Sequence, residues 1–117
     1  MTHADSFKDF IVDQLRDVKG LRVRRMFSGY GFYSDEVFFG IISKSRLYFK
    51  TDARSRQAYL DRDTKPFRPN PSQELQRYYE VPVEILEDGE ELVRWAQEAI
   101  RVAASKNKGR QKVGKPQ

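Results

Sequence analysis

Between Leu21 and Lys50 the chain crowds β-branched and aromatic residues into short runs with almost nothing between them. The runs are Leu21 to Phe27, Tyr30 to Ser34, Val37 to Ser43 and Arg46 to Lys50, and the last three are joined by the pairs Asp35-Glu36 and Lys44-Ser45. Runs of this length and composition read as strands. A two-residue connection cannot hold the crossover helix that parallel neighbours require, so these strands form an antiparallel meander. Leu21, Val23, Arg25 and Phe27 alternate with Arg22, Arg24 and Met26, the period of a strand with two different faces. Glu36 is an awkward turn residue, because a tight primed turn favours glycine, and a looser turn is expected there.

Outside the meander the period is helical. Phe7, Phe10, Ile11, Leu15 and Val18 form one apolar stripe and predict a helix from Ser6 to Val18, with Ser6 as N-cap and Gly20 as the stop. A short helix from Ala53 to Leu60, capped by Thr51 or Asp52, comes next. Pro66, Pro69 and Pro71 leave 61–72 as loop with an edge strand around Phe67. Leu75 to Val81 reads as a strand, Pro82 opens a brief helix through Leu86, and Asp88 with Glu91 forms a capping box for the last helix. In that helix Leu92, Trp95, Ala96, Ala99, Ile100 and Ala103 make the buried face, and the pattern ends after Ala104. One-striped helices and a sheet with one polar face imply two layers, an α+β sandwich with the helices on one side. The aromatic set Phe7, Phe10, Phe27, Phe32, Phe38, Phe49 and Trp95 is expected in the core.

Charge divides the chain differently. Lys and Arg number 22 against 17 Asp and Glu, a net charge of +5. Residues 105–117 carry five bases (Lys106, Lys108, Arg110, Lys112 and Lys115) and no acid, so 1–104 is neutral. The expected organisation is a folded domain over 1–104 and a basic tail, 105–117, unable to bury enough surface to fold alone. The chain has no cysteine and one histidine, His3. That removes disulfides, thiol nucleophiles, Cys or His metal clusters and a Ser-His-Asp triad. No leader-like segment or apolar run of membrane-spanning length is visible, so the cytoplasm is the expected compartment.

Arg24-Arg25-Met26-Phe27-Ser28-Gly29-Tyr30-Gly31-Phe32-Tyr33 resembles the signature of the TfoX/Sxy N-terminal domain. The likeness continues through Phe38-Phe39-Gly40-Ile41-Ile42, Leu47 to Asp52, Tyr78-Tyr79-Glu80-Val81-Pro82, Leu86-Glu87-Asp88 and Trp95, covering residues 7 to 104. Ser28 and Glu36 stand where the family often has glycine. The resemblance implies a two-layer α+β fold and a bacterial regulatory domain linked to natural competence and transcription activation, with no catalytic residue set. The competence regulators carry a second, C-terminal domain where this sequence has its basic tail, which implies a stand-alone, single-domain member.

No catalytic, cofactor-binding or metal-binding residue is therefore expected, and the chain reads as a non-enzymatic, protein-binding regulatory domain. Gly29-Tyr30-Gly31 leads into a strand rather than a helix N-terminus, so it suits a bulge or close backbone packing better than a phosphate loop. The candidate interaction residues are Arg22, Arg24, Arg25, Tyr30 and Tyr33, where guanidinium groups and rings sit close in sequence. Arg25 shares the phase of Val23, so it is expected half-buried and paired with a carboxylate. The alternative is non-specific nucleic-acid binding through these arginines and the tail, whose five cations limit the salt slope to about −4.5. Asp61 with Asp63, and Glu87, Asp88, Glu90 and Glu91, lack metal-site spacing, and the second group suits a helix start. A monomer and a homodimer both fit the sequence.

Overall fold

A computed structural model describes residues 3–26 and 29–114, with side chains over 6–26 and 29–105. Its elements are α1 (His3–Gln14), β1 (Leu21–Met26), β2 (Gly29–Ser34), β3 (Val37–Ser43), β4 (Arg46–Lys50), α2 (Arg56–Asp61), β5 (Pro66–Asn70), β6 (Gln73–Glu80), α3 (Val83–Leu86) and α4 (Gly89–Gly114). The six strands form one antiparallel sheet in the order β1-β2-β3-β4-β6-β5, which leaves β1 and β5 as its edges. The fold is α+β. Phe27 and Ser28 lie outside the described residues.

Both turns are two residues long, and the looser turn expected at Glu36 does not form, since Ser34 pairs directly with Val37. Lys44 and Ser45 take φ of 53° and 59°, the primed geometry that matches strand twist and normally selects glycine or asparagine. At the other turn Asp35 alone takes positive φ, 54°, which spares Glu36 the left-handed conformation. Gly20, at φ 66°, ends the connection after α1, and its carbonyl accepts the Asp35 N–H at 2.9 Å.

One face of the sheet is covered by helices. Ile11 and Leu15 of the first helical segment, Ile85 of α3, and Leu92, Ala96, Ala99 and Ala103 of α4 pack on Phe32, Phe39, Ile42, Leu47 and Phe49. The alanines of α4 lie in one cluster with three large rings of the central strands, and small residues there complement large ones opposite. A bulge at Phe32/Tyr33 pairs Phe32 with Gly40 and Tyr33 with Phe38, leaving Phe39 without a direct partner. The slip lets Phe39 and Ile42, three positions apart, both enter this core.

Several sequence expectations change. The first helix begins at His3, so Ser6 lies inside it and is not its cap, and regular helix ends at Gln14. Phe10 is 43% exposed because Phe7, Ile11, Leu15 and Val18 already fill the contact ridge. The short second helix begins at Arg56, after a reciprocal cap in which the Ser55 N–H donates to Asp52 Oδ1 at 2.8 Å and the Asp52 N–H to Ser55 Oγ at 3.0 Å. The backbone of α4 remains helical past Ala104 to Gly114. Apolar periodicity reports burial, whereas Lys, Arg and Gln sustain helix without it. The polar second face also needs correction: Ile41, Tyr48 and Phe67 form a separate buried cluster there, with Phe38, Leu75 and Tyr78 against it.

Candidate functional site on the open face of the sheet

The sequence contains four aromatic doublets inside strands: Phe32-Tyr33, Phe38-Phe39, Tyr48-Phe49 and Tyr78-Tyr79. Adjacent strand residues point to opposite faces, so each doublet gives one ring to each side. Phe32, Phe39, Phe49 and Tyr79 join the helix-covered core, while Tyr48, Phe38 and Tyr78 belong to the second cluster and Tyr33 stacks beside them. Across the open face Tyr33 and Phe38 lie 5.1 Å apart between ring centroids, and Phe38 and Tyr78 lie 6.1 Å apart. Tyr48 packs on Phe67 at 4.8 Å. Such tilted pairs stabilise by about 0.5–1.5 kcal/mol beyond area burial.

Phe38, Phe67 and Tyr78 border an apolar groove of about 640 Å³. Met26 of β1, Phe38 and Ile41 of β3, Phe67 of β5, and Leu75 and Tyr78 of β6 line it. Burial, the largest influence, pushes the Tyr78 phenol up to about 12, with nearby Tyr33 acting in the same direction and Arg77 opposing. Burial also raises the Tyr48 phenol, followed by Glu80, while Arg46 opposes. Both phenols are therefore neutral donors at pH 7. Near Tyr48, the Arg46 guanidinium lies 2.9 and 3.1 Å from the two Glu80 oxygens.

The five body candidates separate by face. Arg22 and Arg24 stand opposite Tyr33 and Gly31 and extend from the open side. The Arg22 guanidinium lies 6.0 Å from the Tyr33 ring and 3.6 Å from a Glu36 oxygen. Arg22, Arg24 and Tyr33 thus come together. Arg25 and Tyr30 face the other way, and Tyr30, only 7% exposed, belongs to the core. Arg25 is exposed rather than half-buried, and among the described residues its partner is the Tyr30 hydroxyl, to which it donates at 3.1 Å, instead of a carboxylate. Of the tail candidates, Lys106, Lys108, Arg110 and Lys112 lie on the helical backbone of α4 but outside the described side chains, and Lys115 lies outside the described residues.

Glycine makes the groove wall thin. A Cβ on Gly31 would sit 2.6 Å from Met26 Sδ and 2.8 Å from Phe38 Cε1. One on Gly29 would collide with the Ile42 carbonyl oxygen. The paired glycines serve close packing, as their strand context implies.

A smaller cleft of about 360 Å³ lies between α2 and α4, beside Tyr59 and Trp95. Its Arg94 is bound to Glu91 at 2.6 Å. Among the described residues no three His, Asp or Glu gather so as to hold a metal ion, and no helix is long and apolar enough to cross a membrane. Phe38, Tyr78, Phe67 and Ile41 are the site residues that periodicity alone missed. The doublets were the visible signal for Phe38 and Tyr78, since two adjacent large rings in a strand cannot share one core, whereas Phe67 and Ile41 belong to no doublet.

The family model of the TfoX N-terminal domain matches residues 13–103. No curated protein matches the chain.

Proposed function

The chain belongs to the TfoX N-terminal domain family, and from that premise we propose that it is a non-enzymatic regulatory domain acting through protein contacts. The regulation we have in mind is of transcription, with competence as the family's link, and the compartment is the cytoplasm. The observation that carries the reading is the apolar groove on the sheet face that the helices leave open. Exposed apolar concavities edged by polar groups are the usual form of a docking surface. Its rings are held by packing on Tyr48 and Phe67, so little side-chain entropy is lost when a partner arrives.

The test is a pull-down from the protein's own cells, with and without nuclease, comparing the natural chain with Phe38→Ala. A protein partner that survives nuclease and is lost with Phe38→Ala supports the reading. Turnover of a small molecule, abolished by one substitution on the open face, overturns it.

A second reading, direct nucleic-acid binding, draws support from the placement of Arg22, Arg24 and Tyr33 on one face. Cations beside rings are what single strands bind. Titration of DNA and RNA into the natural chain, and into a variant with Lys106, Lys108, Arg110, Lys112 and Lys115 changed to Gln, measures it. Equal, negligible binding removes it.

A further inference from the structure

Strand β1 is an edge, and among the described residues it pairs with β2 alone. Its register is unbroken from Leu21↔Ser34 to Met26↔Gly29, without the bulge that often blunts an edge. The Asp35 N–H donates to the Gly20 carbonyl at 2.9 Å, which sets the phase of the ladder. Antiparallel pairs alternate between those that exchange bonds and those whose backbone groups turn away. Arg22, Arg24 and Met26 therefore bond to β2, while Leu21, Val23 and Arg25 turn their N–H and C=O groups outward.

The side chains along this edge are basic. Arg22, Arg24 and Arg25 are all exposed, and Glu36, at 3.6 Å from Arg22, is the one carboxylate paired with them among the described residues. Charge on an edge often serves only to repel other strands, and lysine is the usual choice for that. Arginine differs, because its planar fork matches a carboxylate with two parallel hydrogen bonds. A second copy is a poor occupant. Pairing two β1 strands about Val23, the register that uses the whole strand, sets each Arg22 opposite an Arg24 of the other copy, and like charges directly opposite are destabilising.

We propose that the β1 edge accepts an acidic, extended peptide segment as a seventh, antiparallel strand. The proposal rests on the protein-contact reading and names the partner's chemistry. Main-chain bonds to Leu21, Val23 and Arg25 supply the affinity. The residues opposite Arg22 and Arg24 are two apart in the incoming strand and share the open face, so both are carboxylates. An apolar residue between them lies beside Val23, and a third carboxylate stands opposite Arg25. The motif is acid-acid-apolar-acid.

The probe is a fluorescein-labelled hexapeptide, Thr-Glu-Glu-Val-Glu-Val, titrated into the full chain by fluorescence anisotropy, with Lys replacing each Glu in the control. The expected result is binding at least about tenfold tighter than the control, a factor that weakens as salt screens the charges. Val23→Pro removes an N–H that points away from β2, so the native ladder survives, and it weakens binding by about tenfold or more. Arg24→Glu, which leaves the backbone intact, does the same and improves binding of the Lys peptide. Equal affinity for the two peptides, no saturable binding, or indifference to both substitutions overturns the proposal. Self-association of the natural chain abolished by Val23→Pro overturns it in favour of a dimer. A protein partner whose capture Val23→Pro leaves undiminished overturns the edge while the wider protein-contact reading stands, so the two failures are distinct.

Discussion

The two faces of the sheet are built from the same doublets but are covered differently. On the helix-covered side Phe32, Phe39 and Phe49 are closed over by the alanines of α4 and by α1 and α3. On the open side Phe38 and Tyr78 pack on the small cluster of Ile41, Tyr48 and Phe67, with Tyr33 against Phe38, and no helix is part of that cluster among the described residues. The first arrangement buries its rings and makes stability. The second leaves a groove, and an apolar surface left uncovered is available for a partner. Ring against ring occurs on both faces, so aromatic content does not separate them. Helix cover does.

Substitution should break this contrast most clearly at its centre. Phe49→Ala, at a fully buried ring, is expected to cost about 3–5 kcal/mol in urea unfolding, with no groove-specific effect. Gly29→Ala drives a methyl group into the Ile42 carbonyl, backbone that cannot swing aside, and is expected to cost about 3 kcal/mol. Phe38→Ala removes a half-buried ring, so about 2 kcal/mol is the expected cost, but partner capture should fall with it. If Phe38→Ala binds partners as the natural chain does, the division of labour between the faces is wrong.

Smaller effects sharpen the comparison from outside both faces. Changing Lys44-Ser45 to Asn-Gly relieves two positive φ angles and should add about 1 kcal/mol of stability without altering partner capture. Asp52 gives the smallest effect. Its carboxyl is held below the ordinary value first by the Ser55 backbone N–H, then by the Ser55 hydroxyl and Arg101, against desolvation. A lowered folded value means stability present above the unfolded pKa of about 3.9 and lost as pH falls through the folded one. Asp52→Asn should therefore flatten the fall in melting temperature between pH 5 and pH 2.

Much of the fold was legible because it is written in local periods. The two-residue turns required antiparallel pairing, the proline-rich segment did contain the edge strand around Phe67, and Asp88 caps the last helix through the Glu91 N–H at 3.3 Å. The missed features are those in which period and burial separate. The bulge at Phe32/Tyr33 shifts the alternation of β3 without leaving a local mark. Phe10 lies beside an apolar ridge but off it, and α4 outlasts its apolar stripe. Among the candidate residues, Tyr30 and Arg25 were grouped with Tyr33 and Arg24 by nearness in sequence, and strand geometry divides neighbours.

The sequence by itself determined an antiparallel meander with helices on one side, a neutral body and a basic end, because turn length, side-chain period and charge are properties of short stretches. Tertiary structure alone decided which ring of each doublet the helices cover and how β5 and β6 border a groove against β3. It also decided that β1 is a basic edge of the sheet, paired among the described residues with β2 alone. Those outcomes depend on strand order and on where α4 lies, and both are fixed by contacts between residues far apart in the chain.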